Sequence, residues 1–346
     1  MTTQAHHPDR PAAPARPLTR VMLLLALLLA LLLVSALLPS RAAAQAKTRP
    51  SAGAALAYVP NEGSGTISVI DTATDQVIAD LPGGDKPRGL AVAADRRWLY
   101  VSDQPHNRLQ LVDANARTLG TTIALGESPE GVAMSPDGRW VVAAVEGKNE
   151  IAVTDTRSNA LAFSIKVQGK NPEHAVFSPN GRLLFVSAEE GEAVDIVDFT
   201  LRKQVAQVAV GARPRGIGFL PDGSRAYVAA ENANEVFVID TARFAILARI
   251  KAGLRANGVA VHPNGREVYV SNGGDANLSV IDSASNTVVA TIPVGQRPWN
   301  MALTPDGKKL YVANGRSNSV SVIDTASRTR LRDIAVGKLP WGVVIR

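Results

Sequence analysis

Seven residues spaced 42 or 43 apart carry the side chains from which a site could be built: Arg88, Glu130, Glu173, Arg215, Asn257, Trp299 and Trp341. Each follows a proline, or Ala256 in one case, and precedes a glycine at all but two places, where His174 and Asn300 stand instead. The flanking residues hardly vary, while the position between them changes from cation to anion to indole. A position freed from the demands of a repeat is where a site can be placed. Two neighbouring tryptophans with an arginine beside them would form a flat apolar wall with a cationic edge, suited to a planar or anionic ligand. Glu130, Glu173 and His174 would face that wall, and a His–Glu pair can act as a general base. The alternative is that the tryptophans fill the space between them and the charges pair with one another.

Other chemistry finds little support. The chain has no cysteine, which removes disulfides, thiol nucleophiles, thiolate metal sites and haem attachment. Three histidines, His106, His174 and His262, remain beyond residue 46. A zinc or copper centre draws several histidines or thiolates together, so no such centre is expected. A calcium ion held by carboxylates would leave no clear motif here. No nucleophile elbow and no phosphate-binding loop occurs.

The elements that must position the seven residues follow from the repeat. A segment of the form Tyr-Val-x-Asn, a loop, Ser-Val-Ile-Asp-Thr, a second loop and an apolar strand ending in Val-Gly recurs from Tyr58 onward. The aspartate closing its second strand falls at Asp71, Asp113, Asp155, Asp198, Asp240, Asp282 and Asp324. Each unit supplies four runs rich in Val, Ile, Leu and Tyr, separated by Gly, Asn, Asp and Pro, which is the chemistry of an antiparallel meander. A sheet with two apolar faces needs a neighbour on each, and radial closure provides them for every copy. The expected fold is all-β, a seven-bladed β-propeller of four-stranded antiparallel blades. Its chain starts with the second strand of a unit near Leu56 and ends with a first strand, Trp341-Gly342-Val343-Val344-Ile345, that completes the first blade. The strand after Pro-x-Gly alternates small and large residues, as in Met301-Ala302-Leu303, and is expected innermost. The seven variable residues would then surround one mouth of the central channel. Loops between second and third strands open on the same face and carry Glu62, Asp103, Glu146, Glu189, Glu190, Glu231 and Asp275 against Lys148 and Arg316, a net acidic rim.

Residues 1–46 read as a signal peptide. Arg10, Arg16 and Arg20 precede the apolar run Val21–Leu38, and Ala42-Ala43-Ala44-Gln45-Ala46 supplies a cleavage site near Ala46. A predominantly apolar run of 18 residues also just spans a bilayer, so cleavage and retention as an anchor both stay open. After cleavage no membrane contact is expected, which points to a periplasmic or secreted protein. Residues 47–55 form a leader and 56–346 the propeller. The net charge of +6 shrinks on the same division: the first 46 residues hold four of the 37 Lys and Arg and one of the 31 Asp and Glu, leaving 33 against 30. That near balance, with the acidic rim, argues against nucleic acid as the partner.

The repeated pattern resembles the YVTN-repeat β-propellers over essentially all of residues 56–346. Within that group, Val294-Gly295-Gln296-Arg297-Pro298-Trp299, the stretch Asn314–Asp324 and Pro340-Trp341-Gly342-Val343-Val344 look like the periplasmic propellers associated with PQQ-dependent alcohol catabolism. The resemblance implies an accessory, non-catalytic binding or scaffold protein. Its partner would be a quinoprotein dehydrogenase or that enzyme's electron acceptor. PQQ would belong to the partner, so no cofactor is expected in this chain. A lactonase- or lyase-like enzyme using Glu130, Glu173 and His174 is one alternative. A single-stranded nucleic-acid binder stacking bases on Trp299 and Trp341 is another.

Overall fold

The Val-, Ile- and Tyr-rich runs of each repeat form strands of six or seven residues, apart from the two-residue closing strand Val344–Ile345, joined by turns built on the recurring aspartates and glycines. The computed structural model describes Ser51 and residues 53–346. The expected signal peptide and most of the leader 47–55 lie outside the described residues. The strands assemble into seven four-stranded antiparallel sheets, the seven-bladed propeller that the repeat demands.

Blade 2 shows the plan. Pro87–Val92 is its inner strand, followed outward by Trp98–Asp103, Arg108–Asp113 and Thr118–Ala124. The second strand is buried along nearly its whole length because a sheet covers each face, whereas the outermost strand keeps one residue of seven buried. The inner strands of blades 3 to 7 begin at Pro129, Pro172, Pro214, Ala256 and Pro298. Blade 1 is assembled from both ends of the propeller. Leu56–Asn61, Thr66–Asp71 and Gln76–Pro82 take their inner strand from Val344–Ile345, with Ala57 opposite Ile345 and Tyr58 opposite Val344. Backbone bonds between Leu56 and Arg346, at 2.9 and 3.0 Å, and from the Trp341 N–H to the Pro60 carbonyl at 2.9 Å extend that junction.

The face opposite the mouth is uniform. Each of the seven aspartates accepts backbone N–H groups from the turn that follows it, as Asp113 does from Asn115 at 3.0 Å and Ala116 at 2.9 Å. Backbone donors lead in holding the carboxyls of Asp113, Asp155, Asp198, Asp240, Asp282 and Asp324 below the usual carboxylate range. At Asp71 burial opposes the shift, but donors from Ser51, Ala73 and Thr74 prevail. Tyrosines join blades on this face: Tyr100 Oη donates to Asn159 at 2.6 Å, Tyr227 Oη to Asn286 at 3.0 Å, and Tyr311 Oη to Asp75.

A carboxyl depressed in the folded state stabilises the fold above its unfolded pKa, and that contribution is lost as pH falls through the folded value. Seven such groups acting together are expected to make the propeller acid-labile. Through these groups its thermal midpoint should drop steeply below about pH 4. Calorimetry across that range checks this, and a midpoint at pH 3 equal to that at pH 6 would contradict it.

Candidate functional site

The seven variable residues reach the mouth because each inner strand is bulged where it begins. In blade 2, Pro87 pairs with Asp103 and Leu90 with Val101, so one extra residue stands on the inner strand. The same shift recurs at Pro129/Val132, Pro172/His174, Pro214/Ile217, Ala256/Val259 and Pro298/Met301. A bulge re-aims a side chain out of the regular alternation, here towards the channel. The glycine that follows is required by crowding. A Cβ on Gly216 would lie 2.6 Å from the Asn257 carbonyl oxygen of the next blade, and one on Gly258 2.5 Å from that of Trp299. Where His174 and Asn300 replace this glycine, their side chains occupy the channel.

Arg88, Glu130, Glu173, His174, Arg215, Asn257, Trp299 and Trp341 all line one cavity of about 310 Å³ at the mouth. Its charges are organised in two groups. Arg88 holds Glu130 at 2.5 Å and Glu62 at 3.3 Å, while the Gln104 amide also donates to Glu130. Arg215 holds Glu173 at 2.5 Å, with Glu189 and Glu231 both at 3.0 Å. Arg213 adds a contact of 2.7 Å to Glu189, and Arg297 one of 2.7 Å to Glu231.

These pairs do not bring every carboxyl to its usual titration range. Burial pushes Glu130 up to about 8, reinforced by the charge of Glu173 and only partly opposed by Arg88. Burial pushes Glu189 up to about 7 and raises Glu146 as well. Burial also works against the Glu173 carboxylate, but Arg215, with His174 and Arg88, holds it low. Glu231 is likewise lowered by its arginines against burial. His174 is pushed down to about 4 by burial, with Arg215 outweighing part of the pull from Glu173. Its imidazole is therefore neutral at pH 7.

The floor of the cavity is formed by residues from three blades. The His174 imidazole stacks on the Trp341 indole, with centroids 5.3 Å apart and planes 15° from parallel. Asn300 Nδ2 approaches His174 Nε2 at 3.4 Å, and His174 Nδ1 is buried without a hydrogen-bond partner. Below lies a smaller chamber of about 130 Å³, lined in part by Leu90, Val132, Val343 and Val344.

This arrangement corrects the flat wall expected from the two tryptophans. Trp341 faces His174 across the channel, whereas Trp299 packs where a Cβ on Gly315 would touch it, with the Arg297 guanidinium 6.0 Å from its centroid. Arg88 is engaged by carboxylates rather than edging an indole. The acidic rim is also differently disposed from a solvated fringe. Glu62, Glu146 and Glu189 turn inward to line the cavity, and Glu231 is 1% exposed. Asp103 is buried beneath Arg108 and His106. His106 is thus part of the rim and outside the cavity lining, and His262 bonds the Gly307 carbonyl on the far face. The sequence expectation omitted Gln104, Arg213 and Arg297 from the site. A signal for the arginines existed, since Arg213, Arg255 and Arg297 recur at spacings of 42 just before the inner strand.

The profile of the YNCE-like beta-propeller family matches residues 15–346. No curated protein matches the sequence. Among solved structures, a chain of Kuenenia stuttgartiensis hydrazine synthase superposes with a TM-score of 0.72 at 25% identity, covering 78% of this chain and 92% of that one. A protein of unknown function from Desulfotomaculum acetoxidans gives 0.72 at 18% identity, covering 84% of this chain and 98% of its own. A candidate 6-phosphogluconolactonase from Bacteroides uniformis gives 0.70 at 19%, with 84% and 99% covered. The last two likenesses concern the fold alone.

Proposed function

The chain belongs to the YNCE-like beta-propeller family, and from that membership we propose that it is an exported, non-catalytic binding propeller whose ligand seat is the ionic cavity at the channel mouth. The observation that carries this is the cavity's construction. Bulged inner strands deliver seven side chains of four chemical kinds to one floored space of about 310 Å³, at the lower end of the size range of small-molecule pockets. Its guanidinium and carboxyl groups are fixed by mutual ion pairs, so they present oriented donors and acceptors with little rearrangement.

Catalysis draws less support from the same geometry. His174 stacks on Trp341 with its Nδ1 unbonded, so no carboxylate orients the ring through that nitrogen, and an imidazole pushed down to about 4 accepts a proton poorly at pH 7. A role beside a periplasmic PQQ-dependent alcohol oxidation system is supported by the sequence likeness in the last two repeats. In that role the ligand or protein partner would engage the mouth, and PQQ would remain with the partner.

Native mass spectrometry of the protein purified gently from its own cell envelope tests this. The wild type is expected to carry an additional mass that a Trp299→Ala, Trp341→Ala variant loses. A bare monomer in both would refute the mouth as a tight ligand seat.

A further inference from the structure

The charged groups at the mouth have partners, and the groups that lack one are of a different kind. Asn257 is 5% exposed and lines the cavity, yet its side-chain amide makes no hydrogen bond among the described residues. Glu130 is 0% exposed, and although Arg88 and Gln104 both engage Oε1, its Oε2 has no partner. His174 Nδ1 is buried and unbonded in the floor. Buried polar groups in native structures are nearly always paired, so three unpaired ones around one space mark the seat of a molecule that completes them. An amide both donates and accepts, a carboxyl oxygen accepts or, when protonated, donates, and a neutral imidazole nitrogen does one or the other. A hydroxyl meets each of these in any state, because one oxygen donates and accepts.

Charge narrows the choice. Five glutamates and four arginines line the cavity, and each guanidinium already holds a carboxylate, from Arg88 on Glu130 to Arg297 on Glu231. Glu130, pushed up to about 8, is largely protonated at pH 7, which brings the lining close to balance. An anion or a cation would have to break ion pairs that fix the walls, whereas a neutral molecule leaves them whole. The half-buried indoles of Trp299 and Trp341 add apolar surface beside the polar groups. Water could pair the same polar atoms but gains nothing from the indoles. We propose that the mouth seats a neutral polyhydroxylated molecule the size of a monosaccharide, with Asn257, Glu130 and His174 bonding its hydroxyls and the two indoles covering its carbon-bound hydrogens. A cavity of about 310 Å³ holds about one such ring. This rests on reading the mouth as a ligand seat and deepens it by naming the chemistry of the ligand.

Isothermal titration calorimetry of the purified protein with D-glucose, D-galactose and D-mannose provides the test. Saturable binding of at least one is expected. The uronate and the 2-amino derivative of that sugar, which place a charge on the same ring, should bind about tenfold or more weakly. Asn257→Leu should lower the affinity about tenfold or more, while Asn115→Leu on the exposed far face should leave it unchanged. Because the Asn257 amide bonds nothing in the protein, the thermal midpoint of Asn257→Leu is expected near that of wild type, which separates loss of binding from loss of fold. No saturable heat with any of the three sugars at tens of millimolar, equal affinity in Asn257→Leu and wild type, or a charged derivative bound as tightly as its parent would each overturn the polyol. Absent sugar binding with a bound mass still lost in the Trp299→Ala, Trp341→Ala variant overturns the polyol and leaves the mouth as a seat. Failure of both overturns both.

Discussion

Deletion of Pro340–Arg346 is expected to abolish the cooperative fold. These seven residues supply the inner strand of blade 1. Val343 is 5% exposed and packs with Ala57, Val59, Tyr311 and Ala313. Each apolar side chain removed from such a setting costs about 1.5–3 kcal/mol. The deletion takes several, along with backbone bonds worth about 1 kcal/mol each, from a domain whose whole stability is about 5–15 kcal/mol. It also strips cover from Leu56–Asn61, of which five residues are buried, and leaves an apolar edge. Loss of the thermal transition by circular dichroism, with rapid proteolysis from the amino-terminal blade, is the predicted result. A transition within a few degrees of wild type would show that closure contributes little.

Glu231→Ala is expected to destabilise the protein by about 3–5 kcal/mol, the range for removing one partner of a buried ion pair. The Glu231 side chain is 2% exposed and engages Arg215 and Arg297. Arg215 keeps Glu173 and Glu189, but Arg297, 14% exposed, has no other carboxylate partner among the described residues. The cost lies in stranding that guanidinium. Replacing Glu231 and Arg297 together by methionine should therefore recover part of the loss. Urea unfolding midpoints of the two variants decide the matter. A single-variant loss below about 1 kcal/mol would mean that water reaches Arg297 freely.

The fold was legible because its causes are local and repeated. Seven aspartates in register, each accepting the N–H groups of its own turn, state the blade count before any contact is known. The sequence also exposed the ring of variable residues, since the adjoining glycine at Gly89, Gly131, Gly216 and Gly258 answers to a carbonyl of the next blade. What could not be read was direction. Nothing in the spacing of Trp299 and Trp341 says that one indole turns to an imidazole four repeats away along the chain. Nor does the acidic character of the loops reveal that Glu62 and Glu189 point inward, because that depends on arginines contributed by neighbouring blades. Glu146, Glu173 and Glu189 converge through tertiary structure alone, and no linear motif could have announced them.

The shared construction of blade 1 also imposes a schedule. Ala57 and Tyr58 are among the first propeller residues made and Ile345 among the last, yet they are partners in one sheet. At about 5–20 residues per second, the amino-terminal strand waits for some 15–60 s before its neighbour exists. During that interval a buried segment of Ala57, Tyr58 and Val59 lies open along its edge, a template for wrong pairing with another nascent chain. Yield in the cell should thus depend on whatever shields this strand until synthesis ends, even though the finished ring needs no such help.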